Sequence, residues 1–212
     1  MTRPMPVLHR QAAAGLALLA LSALALQFRV EWLELGEAAS TGRVLWVMAR
    51  YFTILTNALV VAVFGLAAWR ARWPAAAWPA AVTVWIVATG GVYHALLAAA
   101  NTPAGLEVWS DIGLHSAVPL ASLALWWLAA PKSPLGWYLP LIWTGYPLGY
   151  AIYAILRGLV DGRFPYFFLD PAKSGVGTVI AYVLGLGVFF VASGSLLIAL
   201  ARTTRPVPLQ KV

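Results

Sequence analysis

The chain has 212 residues, 62% of them hydrophobic and only 10% charged, and its mean hydropathy is +0.81. A water-soluble domain carries about a quarter charged residues, so this surface faces an apolar solvent and an ordinary soluble globule is excluded. The net charge of +7 leaves no basic cluster interleaved with aromatics for nucleic acid, and basic residues at helix ends serve instead to set topology and meet anionic headgroups. With no cysteine, disulfides, thiolate catalysis and Cys-ligated zinc are excluded as well.

Six apolar runs follow one another, at about 11–28, 44–69, 78–100, 112–130, 137–156 and 175–201. Each is long enough to cross about 30 Å of hydrocarbon at about 1.5 Å per residue. Lipid offers the backbone no hydrogen-bond partner, so these runs are predicted to be helices. The expected fold is all-α: one polytopic bundle of six transmembrane helices filling residues 1–212. The first run, with Arg3 and Arg10 ahead of it and Ala23-Leu24-Ala25 inside it, resembles a signal peptide. The apolar stretch goes past that site into another membrane helix, so retention is the expectation.

Orientation follows from Lys and Arg. Arg3, Arg10, Arg70, Arg72, Lys132, Arg202, Arg205 and Lys211 fall on one side, and Arg29, Arg43, Arg50, Arg157, Arg163 and Lys173 on the other. Eight against six favours both termini in the cytoplasm, as in a bacterial inner-membrane protein. Glu31, Glu34, Glu37, Glu107, Asp111, Asp161 and Asp170 all fall on the outer side. Trp69, Trp73, Trp78, Trp126, Trp127 and Trp137 are expected as inner interface anchors, and Trp32, Trp46 and Trp109 as outer ones. Pro119, Pro140 and Pro147 lie inside spans and should kink them. Gly145 with Gly149, and Gly185 with Gly187, read as close-packing spots.

Ionisable and polar groups are costly inside a membrane, and here they gather at one level, the outer third of the bundle. On the second helix Arg50, Thr53 and Asn57 are spaced i, i+3, i+7 and should share a face. The third ends with Tyr93, His94 and Asn101, and the fourth begins with Asp111 and His115, one turn apart. The fifth carries Tyr146, Tyr150, Tyr153 and Arg157 as a stripe. A lone intramembrane Thr usually bonds its own helix, a lone His usually packs, and arginines snorkel. Convergence of all these groups argues for chemistry instead. A hydroxyl becomes a nucleophile when an adjacent base takes its proton, and His115 is the candidate base. Asp111 would orient the ring, and Asn57 or Arg50 would stabilise an oxyanion. His9 lies far from His94 and His115 in the sequence, and no HExxH spacing occurs, so neither a metal nor another cofactor is expected.

Three segments carry a resemblance. Arg50-Tyr51-Phe52-Thr53-Ile54-Leu55-Thr56-Asn57 resembles the second-helix motif of the androgen-induced membrane proteins, the family that includes the androgen-dependent regulator of tissue factor pathway inhibitor. Asp111-Ile112-Gly113-Leu114-His115-Ser116-Ala117-Val118-Pro119 resembles their fourth-helix motif, with Asp111 where a family member has Asn. Tyr166-Phe167-Phe168-Leu169-Asp170 is similar to their aromatic segment, with Phe167 in place of Pro. The resemblance implies a transmembrane threonine hydrolase acting on fatty acid esters of hydroxy fatty acids, with Thr53 and His115 in the catalytic roles.

The expectation is thus an intramembrane hydrolase of lipid esters, partnered only by membrane lipids and its ester substrate. Supporting or substrate-binding roles fall to Arg50, Asn57, Asp111, His94, Tyr150, Tyr153 and Arg157. The rival is a lipid or small-anion binding or transport protein using the same polar pocket, with Arg50 and Arg157 as clamps. A third reading is an assembly subunit whose polar face bonds a partner helix.

Overall fold

Apolar runs without charges close their backbone hydrogen bonds internally. In the computed structural model the described residues, 5–132 and 134–203, form helices and no strand. They are α1 (Val7–Leu35), α2 (Thr41–Met48), α3 (Phe52–Trp69), α4 (Ala77–Val92), α5 (Leu106–Ile112), α6 (Val118–Leu128), α7 (Leu139–Asp161), α8 (Pro171–Ser174) and α9 (Val176–Thr203). A π-helical turn, Tyr93–Leu97, prolongs α4, and a second, Gly113–Ala117, joins α5 to α6. Of the charges used for orientation, Arg3, Arg205 and Lys211 lie outside the described residues.

Among the described residues, five helices are long and apolar enough to cross a membrane: Val7–Ala38, Phe52–Trp69, Ala77–Ala100, Leu139–Asp161 and Val176–Thr203. The fourth predicted run is assembled differently, from α5, a π turn and α6 in unbroken succession over 106–128. The second run is corrected more sharply. It is two helices, because the chain leaves α2 at Ala49, and Tyr51 takes an extended conformation (φ −96°, ψ 131°) before α3 begins.

Branched aliphatic residues such as Leu18, Leu120, Leu141, Ile142, Ile152 and Val188 point outward, more than 60% exposed, as a lipid-facing surface requires. The interior is made largely of small residues, with Ala13, Ala20, Ala67, Ala80 and Ala88 at most 2% exposed. α1 packs along α3, α3 and α6 flank α4, and α7 packs against α9. Close approaches between helices occur at unpredicted glycines. A Cβ on Gly113 would stand 2.8 Å from Cβ of Ala23, and one on Gly194 would stand 3.0 Å from Cβ of Pro140. The predicted spots are loose: nothing lies within 4 Å of a Cβ on Gly145, Gly149 or Gly185, and Gly187 meets Leu148 only at 3.9 Å.

Two other expectations are corrected. Trp126 is fully buried and belongs to the core rather than to an interface belt, whereas Trp69, Trp78, Trp127, Trp137, Trp46 and Trp109 are exposed as anchors should be. Pro140 sits in the first turn of α7 and does not interrupt it, whereas Pro147 lies inside α7 and Pro119 lies inside the continuous 106–128 rod, directly after its π turn. First-turn prolines cost nothing because that N–H has no helical partner.

Replacing Gly113 by Val should destabilise the fold by about 1–3 kcal/mol through overpacking against Ala23, whose backbone-proximal Cβ has nowhere to move. Gly145→Ala, made into open space, should leave thermal unfolding in detergent unchanged. An unfolding temperature for Gly113→Val equal to that of the wild type would refute the close approach.

Candidate active site

The break between α2 and α3 creates the site. Ser40 caps α2, its hydroxyl accepting from the Arg43 N–H at 3.3 Å. At the other end the carbonyls left over by termination find side chains of α7. The Tyr150 hydroxyl donates to the Arg50 carbonyl at 2.7 Å, and the Tyr153 hydroxyl to the Ala49 carbonyl at 3.1 Å. Arg157 donates to the Trp46 carbonyl at 2.6 Å and to the Tyr153 hydroxyl at 2.7 Å, its guanidinium lying 3.9 Å over the Trp46 ring. Arg50 pairs bidentately with Asp161 at 2.8 and 2.9 Å and also donates to the Arg163 carbonyl. The Asp161 hydrogen bond pushes the Arg50 guanidinium up against the opposing effect of burial.

These contacts correct the reading of the second helix. Arg50 stands in the break rather than on the Thr53 face, and its guanidinium is engaged away from Thr53. Arg157, Tyr150 and Tyr153 hold the break together. Both arginines are engaged within the protein, Arg50 by Asp161 and Arg157 by the Trp46 carbonyl and Tyr153, so the clamp roles given to them under the binding or transport alternative are already taken up.

Thr53 occupies the first turn of α3 and is 7% exposed. Its Oγ lies 3.3 Å from Nε2 of His115. Nδ1 of the same ring lies 3.0 Å from Oδ1 of Asp111, one turn earlier. An ionised carboxylate only accepts, so Nδ1 carries the proton and Nε2 is left to accept from the Thr53 hydroxyl. Hydroxyl, imidazole and carboxylate are thereby in series, the arrangement in which a base activates a nucleophile and a third group orients the base.

The surroundings fix the imidazole. Tyr93 stacks on it with ring centroids 3.7 Å apart and planes within 8°. Asn101 ties the two partners of the ring together, donating to the Tyr93 hydroxyl at 3.0 Å and to Asp111 at 3.4 Å. Both π turns lie here, one carrying Tyr93 and the other His115, in keeping with the concentration of such turns at functional sites. Gly90 lets α4 come this close, since a Cβ there would stand 2.7 Å from the His115 carbonyl. Asn57 is fully buried and donates to the carbonyls of Thr53 at 2.9 Å and Leu114 at 3.4 Å, a strut between α3 and the π turn. Its amide is therefore spent on backbone rather than aimed at an oxyanion. His94 bonds Ser116 at 3.0 Å on an exposed face and does not reach Thr53.

Thr53 stands between two cavities. One, of about 70 Å³, is walled by apolar groups such as Phe52, Leu148, Ala151, Leu186 and Phe190. The other, of about 360 Å³, is lined by His115, Asp111, Gln27, Glu31, Glu34 and Glu107 among others. Thr53, Tyr93, Leu97 and Tyr166 border both. Tyr166 is a residue that sequence reasoning left unplaced. It was visible only as the first letter of an aromatic motif beyond the fifth helix, and chain separation hid that the loop folds back onto α3. Its phenol oxygen accepts the Phe52 N–H at 3.1 Å and interacts with Thr53. Burial pushes the phenol up, so it stays protonated.

Compared with known proteins, the chain matches no family model, no curated protein and no solved structure.

Tyr150→Phe removes the donor to a buried carbonyl at the break and should cost about 1–3 kcal/mol. Thermal unfolding in detergent measures it, and no change would mean that the break is held by other contacts.

Proposed function

We propose that this protein is an intramembrane hydrolase of lipid carboxylic esters, with Thr53 as nucleophile and His115 as general base and acid. The observation that carries the reading is the 3.3 Å contact between Thr53 Oγ and His115 Nε2, with Asp111 at 3.0 Å behind the ring. The resemblance to the androgen-induced membrane proteins supports it, since the Thr and His of the resembling motifs are the two that meet.

In this reading the chain spans a bacterial inner membrane six times, the α5–π–α6 rod being the fourth span, with both termini in the cytoplasm and the site in the outer third. Lipid esters enter between helices. Thr53 Oγ attacks the ester carbonyl carbon while Nε2 of His115 takes its proton, and Asp111 holds the resulting imidazolium. The oxyanion forms at the N-terminus of α3, where first-turn N–H groups lack helical carbonyl partners and the helix dipole is positive. The Tyr166 phenol borders the same spot as a further donor. Collapse breaks the ester C–O bond, and the departing alkoxide takes the proton from His115. Water, deprotonated by the same imidazole, then attacks the acyl-Thr53 ester, releasing the fatty acid and restoring the hydroxyl.

Thr53→Ala is expected to abolish ester turnover and covalent labelling by a fluorophosphonate while leaving thermal unfolding in place. His115→Ala should lower kcat by about 10²–10⁴-fold, the usual contribution of a positioned base. Full turnover by Thr53→Ala would eliminate the nucleophile assignment. For topology, green fluorescent protein fused to the C-terminus should fluoresce and alkaline phosphatase fused there should be inactive; the reverse pattern would overturn the orientation.

A further inference from the structure

The two cavities meeting at Thr53 are chemically unequal, and the catalytic cycle assigns each to one half of the substrate. His115 borders the larger cavity and not the smaller one. The imidazole that deprotonates Thr53 must also protonate the departing alkoxide, so the alcohol half lies on the His115 side. The acyl chain is left with the apolar cavity between α3, α4, α7 and α9, walled by groups such as Phe52, Leu148, Leu186 and Phe190.

The alcohol half therefore enters a chamber of about 360 Å³ whose carboxyl and imidazole lining is Glu31, Glu34, Glu107, Asp111 and His115. No Lys or Arg lines it among the described residues. The nearby arginines do not compensate: Arg50 is paired with Asp161, and Arg157 is held over Trp46. Glu31 accepts from the Gln27 amide, a neutral donor, at 3.2 Å. Placing an anion among four carboxyl groups with no Lys or Arg in the lining is unfavourable, whereas a cation or a neutral group is accepted.

We propose, building on the hydrolase reading above, that Glu34 and Glu107 with Glu31 make this a charge-selective esterase. It accepts esters whose alcohol half is neutral or cationic and rejects those whose alcohol half bears a free carboxylate. The site is the Thr53–His115 pair; the glutamates determine which alcohols reach it. An ester of a hydroxy fatty acid with a free carboxylate close to the ester is thereby disfavoured, and one whose carboxyl is masked, or whose alcohol carries an ammonium group, is favoured.

The test uses the purified full chain in detergent micelles and three palmitoyl esters of similar size: of choline, of 3,3-dimethylbutanol, its uncharged isostere, and of 4-hydroxybutyrate. Each kcat/KM is divided by the rate of alkaline hydrolysis of the same ester, which removes differences in leaving-group reactivity. The choline and dimethylbutyl esters are expected to exceed the hydroxybutyrate ester by about tenfold or more. In the Glu34→Gln, Glu107→Gln double variant the hydroxybutyrate ester should gain severalfold relative to the dimethylbutyl ester, with thermal unfolding in detergent reporting that the variant is folded; an unchanged ratio would overturn charge selection by these glutamates. Equal normalised rates for all three esters, with turnover lost in Thr53→Ala, would overturn charge selection and leave the hydrolase standing. A preference for the hydroxybutyrate ester would overturn it too. No hydrolysis of any ester, together with no fluorophosphonate labelling, would overturn the hydrolase and charge selection with it.

Discussion

The site depends on one interruption: the chain leaves a helix at Ala49 and starts another at Phe52. A helix that stops inside an apolar environment strands carbonyls and N–H groups that water would otherwise satisfy, and each costs several kcal/mol unless a partner is built in. α7 supplies the partners for the carbonyl side through Tyr150, Tyr153 and Arg157, and Asp161 holds the guanidinium of the residue in the gap. Tyr166 takes one N–H on the other side. The result is a fresh helix N-terminus inside the protein, with Thr53 on its first turn. A continuous helix would have buried that end in hydrogen bonds and left no electropositive edge beside the hydroxyl.

The second requirement is that an imidazole meet this hydroxyl, and small residues make that possible. Gly90 admits the backbone of the His115 turn, and Gly113 lets it lie on α1 at Ala23. Once there, the ring is over-determined: Asp111 sets its tautomer, Tyr93 sets its plane, and Asn101 links those two side chains. Asn57 closes the distance between α3 and the π turn from below. Preorganisation of this kind matters more in a membrane than in water, because the low dielectric magnifies both a correctly aimed dipole and a misplaced one. The unequal cavities on either side of Thr53 follow from the same geometry. α9 and α7 wall one side with hydrocarbon, while α1 and α5 bring carboxylates to the other.

Much of this was legible in the amino-acid order. Runs of apolar residues long enough to span a bilayer have little choice but to be helical, since only internal hydrogen bonds are on offer. The level at which Thr53, Asp111 and His115 sit follows from their places in those runs, and the Asp111–His115 contact is local, one helical turn. What misled the linear reading was the assumption that the second run is a single helix. Under it, Arg50 appears to share a face with Thr53 and Asn57. The three-residue break rotates Arg50 away and gives Tyr150, Tyr153 and Arg157 of the α7 stripe carbonyls to cap. Trp126 misled in the same way: hydropathy places it near a helix end, but only neighbouring helices decide whether an end is covered.

By itself, then, the sequence determined the apolar, helical class, the absence of thiol chemistry and the spacing of the polar residues along their helices, because these depend on composition and on local periodicity. The tertiary structure alone decided that Thr53 and His115 touch, that Arg50 and Arg157 are already paired, that Tyr166 returns over the start of α3, and that four carboxylates share one chamber. Those facts depend on which helix faces lie against each other. Helix rotation and crossing are set by the sum of many small contacts between residues far apart in the chain, a sum that no single segment contains.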